Sequence, residues 1–208
     1  MILSKEWDIY LPRVDIIGVN DIRKGIDYLN GAIFLCEQKR TAIQAGGHVG
    51  LYPIELSKHF QTIHTFEPIK ENFDCIEKNI NKSKKYPGLV IKYNKGLSDK
   101  NESLYFENEY KETNTGTWHV VNTGDNKIEA VTIDSLNLSN VDLIQLDIEG
   151  HELKALRGAE KTIKKDSPVI MIEDRGYGVS CFDYLESLGY ELECNFLTDK
   201  VFIRKEKD

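Results

Sequence analysis

Short apolar runs alternate with stretches of helical periodicity along most of the chain, and that alternation predicts the fold class. Runs at 41–43, 62–66, 88–94, 141–147 and 168–172 read as strands. Between them, Leu51, Ile54 and Leu56, then Phe73, Ile76 and Ile80, then Leu153, Leu156 and Ile163 recur at helical spacing. Repeats of strand, helix and strand build a mainly parallel sheet covered on both faces. The expected class is therefore α/β, doubly wound.

The remaining segments are read the same way. Residues 1–18 lack clear periodicity and are expected as a loop with one short strand around 14–17. Ile22, Ile26, Leu29 and Ile33 mark a helix over 21–38, with Asn20 or Asp21 as its N-cap. The helix after the first core strand should end near His59 and Phe60, and a second should span 71–81. Residues 96–99 read as a turn, 103–106 as an edge strand, and 128–133 as an edge or antiparallel strand. The polar stretch 107–127 carries Trp118 and His119 as isolated large side chains, which suits an ordinary surface loop or one folding over a site. A helix from Gly150 is expected to pack closely on the sheet at Gly158, and another to cover 179–188. Residues 190–194 and 201–203 should close the chain as a hairpin.

Composition narrows the setting. A chain of 208 residues suits one domain, here an N-terminal extension over 1–40 and an α/β core over 41–208. The net charge of -7 argues against a nucleic-acid partner, which clustered cations would attract. Lys82, Lys84 and Lys85 read as a solvated loop. The four cysteines are widely separated, without a CxxC pair or a Cys–His cluster, so they read as reduced thiols and no metal is expected. Without a signal-like start or a long apolar run, the expectation is a cytoplasmic protein with no membrane association. Oligomeric state is not legible.

The chemistry begins at 44–50, QAGGHVG. Gly46, Gly47 and Gly50 free the inside of the turn of side chains, so a ligand could approach the backbone where a helix starts. Glu67, 21 positions after Gly46, ends the next strand where nucleotide-binding folds hold ribose hydroxyls. The glycine spacing does not match the dinucleotide fingerprint, which disfavours an NAD-binding Rossmann enzyme. Gln44, Glu67, Asp147 and the pair Glu173 and Asp174 each follow an apolar run. In parallel sheets ligands bind outside those strand ends, so four polar endings on one edge indicate a site.

QAGGHVG is similar to the first motif of class I S-adenosylmethionine methyltransferases, with Gln44 in the usual acidic place. Together with FEP at 66–68, GLSD at 96–99, IDSL at 133–136 and IQLDIEGHELKALRGAEKTI at 144–163, the chain resembles the FkbM family of these enzymes over roughly 40–175. The resemblance implies a Rossmann-like, seven-stranded class I fold with an antiparallel last strand. It also implies O-methylation of a hydroxyl on a sugar or other small natural product, with S-adenosylmethionine as cofactor. In that family's terms Gln44, Ala45, Gly46, Gly47, His48 and Gly50 would cradle the methionine moiety. Glu67, beside Pro68, would hold the ribose, Gly96 and Leu97 would border the adenine, and Asp147 would lie beside the methyl group. His48 replaces a common asparagine.

A sulfonium already activates its methyl group, so the protein must align the acceptor and remove a proton. Asp147, Glu149, His151 and His119 are the candidate bases, with Asp147 favoured. Glu149 can also be read as a carboxylate meeting a helix dipole, His151 as a solvated first-turn residue and His64 as a satisfied core histidine. A non-catalytic binding module of the same fold is the other reading, motivated by Gln44 and His48.

Overall fold

The apolar runs assemble into one seven-stranded sheet. The computed structural model describes residues 1–6, 8–12, 16–83, 86–107, 115–174 and 181–205. The chain opens with an antiparallel hairpin, β1 (Ile2–Ser4) and β2 (Ile9–Leu11), where a loop was expected. Leu11 buries against Val49 and Cys75, which gives these short strands a core contact. Residues 14 and 15 of the expected strand lie outside the described residues, and 16 and 17 open a helix instead. That helix, α1 (Ile16–Leu35), starts before the expected cap.

β3 (Thr41–Ala45) leads through the glycine turn into α2 (Leu51–Leu56), and β4 (Thr62–Phe66) into α3 (Lys70–Lys82) and β5 (Leu89–Tyr93). β6 (Gly96–Leu97), β7 (Glu102–Glu107), β8 (His119–Val121) and β9 (Asn126–Val131) follow. A 3-10 turn at Ile133–Leu136 precedes β10 (Val141–Leu146), α4 (Glu152–Arg157), α5 (Glu160–Asp166) and β11 (Val169–Glu173). α6 (Cys181–Ser187), β12 (Tyr190–Phe196) and β13 (Asp199–Arg204) complete the described order. Residues 179 and 180 of the expected last helix, and Lys84 and Lys85, are outside the described residues.

The large sheet runs β12-β13-β11-β10-β3-β4-β5, with β13 antiparallel to both neighbours. Alternate strand residues divide between two cores. Ile43, Ile144 and Ile170 pack with Ala155, Leu156, Ile163 and Leu185 of α4 to α6. Ala42, Leu143 and Met171 pack with Leu29 and Ile33 of α1 and Tyr52 and Leu56 of α2. Burying such side chains contributes roughly 1.5–3 kcal/mol each, enough to hold both helix layers against the sheet.

Four further expectations are corrected. Residues 103–106 are not at an edge, because β7 lies between β9 and β8 in a second, four-stranded sheet ordered β6-β9-β7-β8. The polar stretch supplies β8 and the start of β9 to that sheet, and Gly96 and Leu97 pair in parallel with β9 rather than only turning. The helix after Gly150 is two helices, broken at Gly158. A Cβ at Gly158 would stand 2.0 Å from the Ser98 carbonyl oxygen, so the close packing expected there is against that backbone. The cysteines are free, and burial pushes the Cys36, Cys75 and Cys181 thiols up to about 12.

Candidate active site

The glycine turn is shaped by protein packing before any ligand is considered. Gly46 has φ 82°, and a Cβ there would stand 1.8 Å from the Asp147 carbonyl oxygen, so two strand-end loops meet backbone to backbone. The Gly46 and Gly47 N–H groups both donate to the Phe66 carbonyl, at 3.1 and 3.0 Å. Gly50 N–H donates to the Gly47 carbonyl at 2.8 Å, and His48 N–H to Glu67 Oε2 at 2.7 Å. These four amides, expected to face a ligand, are engaged within the protein.

Gln44 lies below that turn, fully buried and in register with Thr65 and Gln145 on the flanking strands. Thr65 donates to its amide oxygen at 2.5 Å. Its amide nitrogen and both Gln145 amide atoms have no hydrogen-bond partner. The acidic place of the motif is thus filled here by a neutral residue within the sheet.

Two clefts open at the strand ends. The first has apolar walls that include Phe66, Ile69, Leu97, Phe106 and Trp118. The second runs between α1 and the end of the β12–β13 hairpin, with Tyr28, Tyr52, Glu173 and Asp199 on its walls. Gly46, Glu67, Gly116, Asp147 and Glu149 border both. Of the other expected residues, Ala45, Pro68, Gly96, Leu97 and His151 border the first cleft and His48 the second. Gln44, Gly47, Gly50 and His119 border neither, and His119 instead faces Glu107 in the β7–β8 register.

Glu67 is 5% exposed, with Oε2 accepting the His48 amide and Oε1 accepting the Ile69 amide at 2.9 Å. Burial pushes its carboxyl up to about 7, and those two amides hold it back from rising further. Sheet register aligns Asp147, Glu173 and Asp199, since Leu146 pairs with Ile172 and Glu173 with Asp199. Asp147, Glu149 and Glu173 each bring a carboxylate oxygen within 4.8 Å of the others. Burial, then Glu173 and Glu149, hold the Asp147 carboxyl well above the usual carboxylate range. These oxygens could ligate a hard cation, which spacing along the chain did not suggest.

The loop after β10 departs from expectation in two places. Glu149 sits at φ 53° ahead of the helix, and Glu152 is the carboxylate at its start, accepting the Ile148 and Gly150 amides at 2.9 and 3.3 Å. His151 is 8% exposed, with Nε2 3.3 Å from Ser98 Oγ, and burial lowers its imidazole to about 4. It is a buried neutral ring where a solvated one was expected. His64 is the core residue expected, with Nδ1 2.9 Å from the Tyr93 hydroxyl.

Sequence reasoning did not assign roles to Asn72, Thr115, Trp118, Glu173 or Asp199. Two of them left a signal, Glu173 as an acid closing an apolar run and Trp118 as an isolated large side chain on a stretch read as a surface loop or one folding over a site. Asn72 is 2% exposed, borders the first cleft and has no hydrogen-bond partner for Oδ1. An orphaned acceptor beside a buried carboxylate suits a ligand that brings hydroxyl or amine donors. With apolar walls beyond and carboxylates at the junction, the donor set fits a nucleoside carrying a cationic tail, as S-adenosylmethionine does.

Residues 44–196 match the family described as Methyltransferase FkbM domain. The chain is similar to hexuronic acid methyltransferase AglP of Haloferax volcanii, 26% identical over 161 residues, covering 76% of this chain and 65% of that one. It therefore spans just under two thirds of that curated relative. Its fold is similar to the crystal structure of methyltransferase FkbM from Methylobacillus flagellatus, with a TM-score of 0.57 and 16% identity, over 79% of this chain and 43% of the other. It is also similar to magnesium protoporphyrin IX methyltransferase of Synechocystis with bound SAM, with a TM-score of 0.54 and 12% identity, over 98% and 93%. The strand order, the strand-end clefts and the match over 44–196 agree, and the chain belongs to the FkbM methyltransferase domain family.

Proposed function

We propose that the protein transfers a methyl group from S-adenosylmethionine to a hydroxyl oxygen of a small acceptor, with saccharides the favoured class. The observation that carries this reading is the meeting of an apolar cleft and an acidic cleft at Gly46, Glu67 and Asp147. AglP is named for a hexuronic acid, which supports a sugar acceptor here.

Glu67 and Asn72 would hold the ribose hydroxyls, and Phe66, Leu97 and Trp118 would enclose the base. Asp147 and Glu149 would face the cationic methionine end. When bound, the cofactor supplies a methyl group already activated on a sulfonium. The acceptor enters the second cleft, between Tyr28 and Tyr52 on one side and the carboxylate row on the other. Burial, Glu173 and Glu149 hold the Asp147 carboxyl well above the usual range, and in its protonated form it would donate a hydrogen bond to Glu173. Glu173 borders only the second of the two clefts, where it would take the proton of the acceptor's hydroxyl.

The test uses methyl-labelled S-adenosylmethionine with a panel of neutral hexosides, amino sugars and hexuronic acids, alongside calorimetry with S-adenosylhomocysteine. The expected result is cofactor binding and a base-stable methyl ether. A label released by mild base would identify an ester and defeat the hydroxyl reading, and absence of S-adenosylhomocysteine binding would defeat the whole proposal.

A further inference from the structure

Thr115, which precedes β8, is tied down by side chains to which methyl transfer assigns no such task. Thr115 is 4% exposed, and its carbonyl accepts a hydrogen bond from Asn72 Nδ2 at 2.9 Å. Its hydroxyl lies 2.8 Å from His48 Nε2. One residue of the smaller sheet's connection is thereby joined to the glycine turn and to α3. Both partners also serve Glu67: the His48 backbone donates to Oε2, and the Asn72 amide favours the charged form of the same carboxylate.

The residues that follow cross the junction of the clefts. Gly116 borders both, Thr117 the second and Trp118 the first. Trp118 packs on the Leu104, Phe106 and Ala130 cluster, which anchors the far end. Gly46, Glu67, Asp147 and Glu149, the other residues common to both clefts, all follow strands of the large sheet, and Gly116 does not. A molecule that fills both clefts must pass between Gly116 and those strand ends.

We propose that residues 115–118 form a clasp over the bound cofactor, and that His48 and Asn72 are positioning residues whose hydrogen bonds to Thr115 set how long the cofactor stays. The inference rests on the methyl-donor reading. Both latch bonds lie in buried surroundings, where water does not compete for the bonded groups, so opening the clasp costs more than breaking a solvated pair. Departure through a closed clasp requires that local opening, and its rate follows the latch. The His48 side chain, one of the departures from the family pattern, then has a purpose: an asparagine there is too short to span the same distance.

Release of tritium-labelled S-adenosylhomocysteine into excess unlabelled ligand tests this without an acceptor. Thr115→Val should release the ligand about 3- to 10-fold faster, the loss expected for one hydrogen bond, and Thr115→Ser should restore the wild-type rate. His48→Asn, which tolerates the left-handed backbone at that position, should match Thr115→Val and serves if that variant does not fold. A wild-type release rate in both Thr115→Val and His48→Asn, or a Ser variant as fast as Val, would overturn the clasp while leaving the methyl-donor reading intact. A wild-type protein that does not bind S-adenosylhomocysteine would overturn both.

Discussion

The two clefts share Gly46, Glu67, Gly116, Asp147 and Glu149, yet beyond that border one is walled by Phe66, Leu97, Phe106 and Trp118 and the other by Glu173 and Asp199 beside two tyrosines. In the first, affinity should come from apolar burial around a few fixed polar atoms. In the second, aligned strands bring acids together, and burial with the neighbouring Glu173 and Glu149 holds the Asp147 carboxyl well above the usual carboxylate range. The contrast separates holding from reacting, and under the proposed mechanism it favours Glu173 over Asp147 as the base.

Substitution at Glu173 should therefore produce the largest effect. Glu173→Gln is expected to lower the single-turnover rate at saturating cofactor by roughly 10²- to 10⁴-fold, with S-adenosylhomocysteine affinity little changed. Asp147→Asn keeps a donor toward Glu173 and should lose far less. If Asp147→Asn lost more than Glu173→Gln, the division between the clefts would fail.

Acidity sharpens the comparison from the first cleft. The Glu67 carboxyl is pushed up to about 7, and ribose hydroxyls donating to it favour its charged form. Binding therefore releases a proton below pH 7. Affinity for S-adenosylhomocysteine should rise about 10-fold from pH 6 to pH 8 and level off above. Glu67→Gln should remove that slope in calorimetry, and a slope that persisted would assign it to another group. The smallest effect is expected from Trp118→Ala, which takes an aromatic ring from the apolar wall and should weaken the same binding by about 5- to 10-fold. Unchanged affinity would place the base elsewhere.

Legibility followed the same line between local pattern and distant contact. The run 141–146 carries apolar residues toward both cores, Val141, Ile144 and Leu146 to one and Leu143 to the other, because helices cover both faces, so its strand could be read directly. β8 could not, since His119, Val120 and Val121 are all half-buried and owe their extended form to pairing with β7. The break between α4 and α5 was hidden for a similar reason. Helical spacing continues through Gly158, and the Ser98 backbone, distant in sequence, occupies the space its side chain would need. His151 reads as a first-turn surface residue until Ser98 is brought against it.

By itself the sequence determined the α/β class, the order of the core strands and the acids that end them, because apolar periodicity and strand termini are local properties of a chain. Tertiary structure decided which of those polar residues line the clefts. It turned Gln44 into the sheet, spent the glycine-turn amides on Phe66 and Glu67, and set Glu173 beside Asp147 and Thr115 against His48 and Asn72. Such pairings depend on register and loop contact between segments far apart in sequence, and burial then raises the carboxyls of Glu67 and Asp147 above their ordinary range.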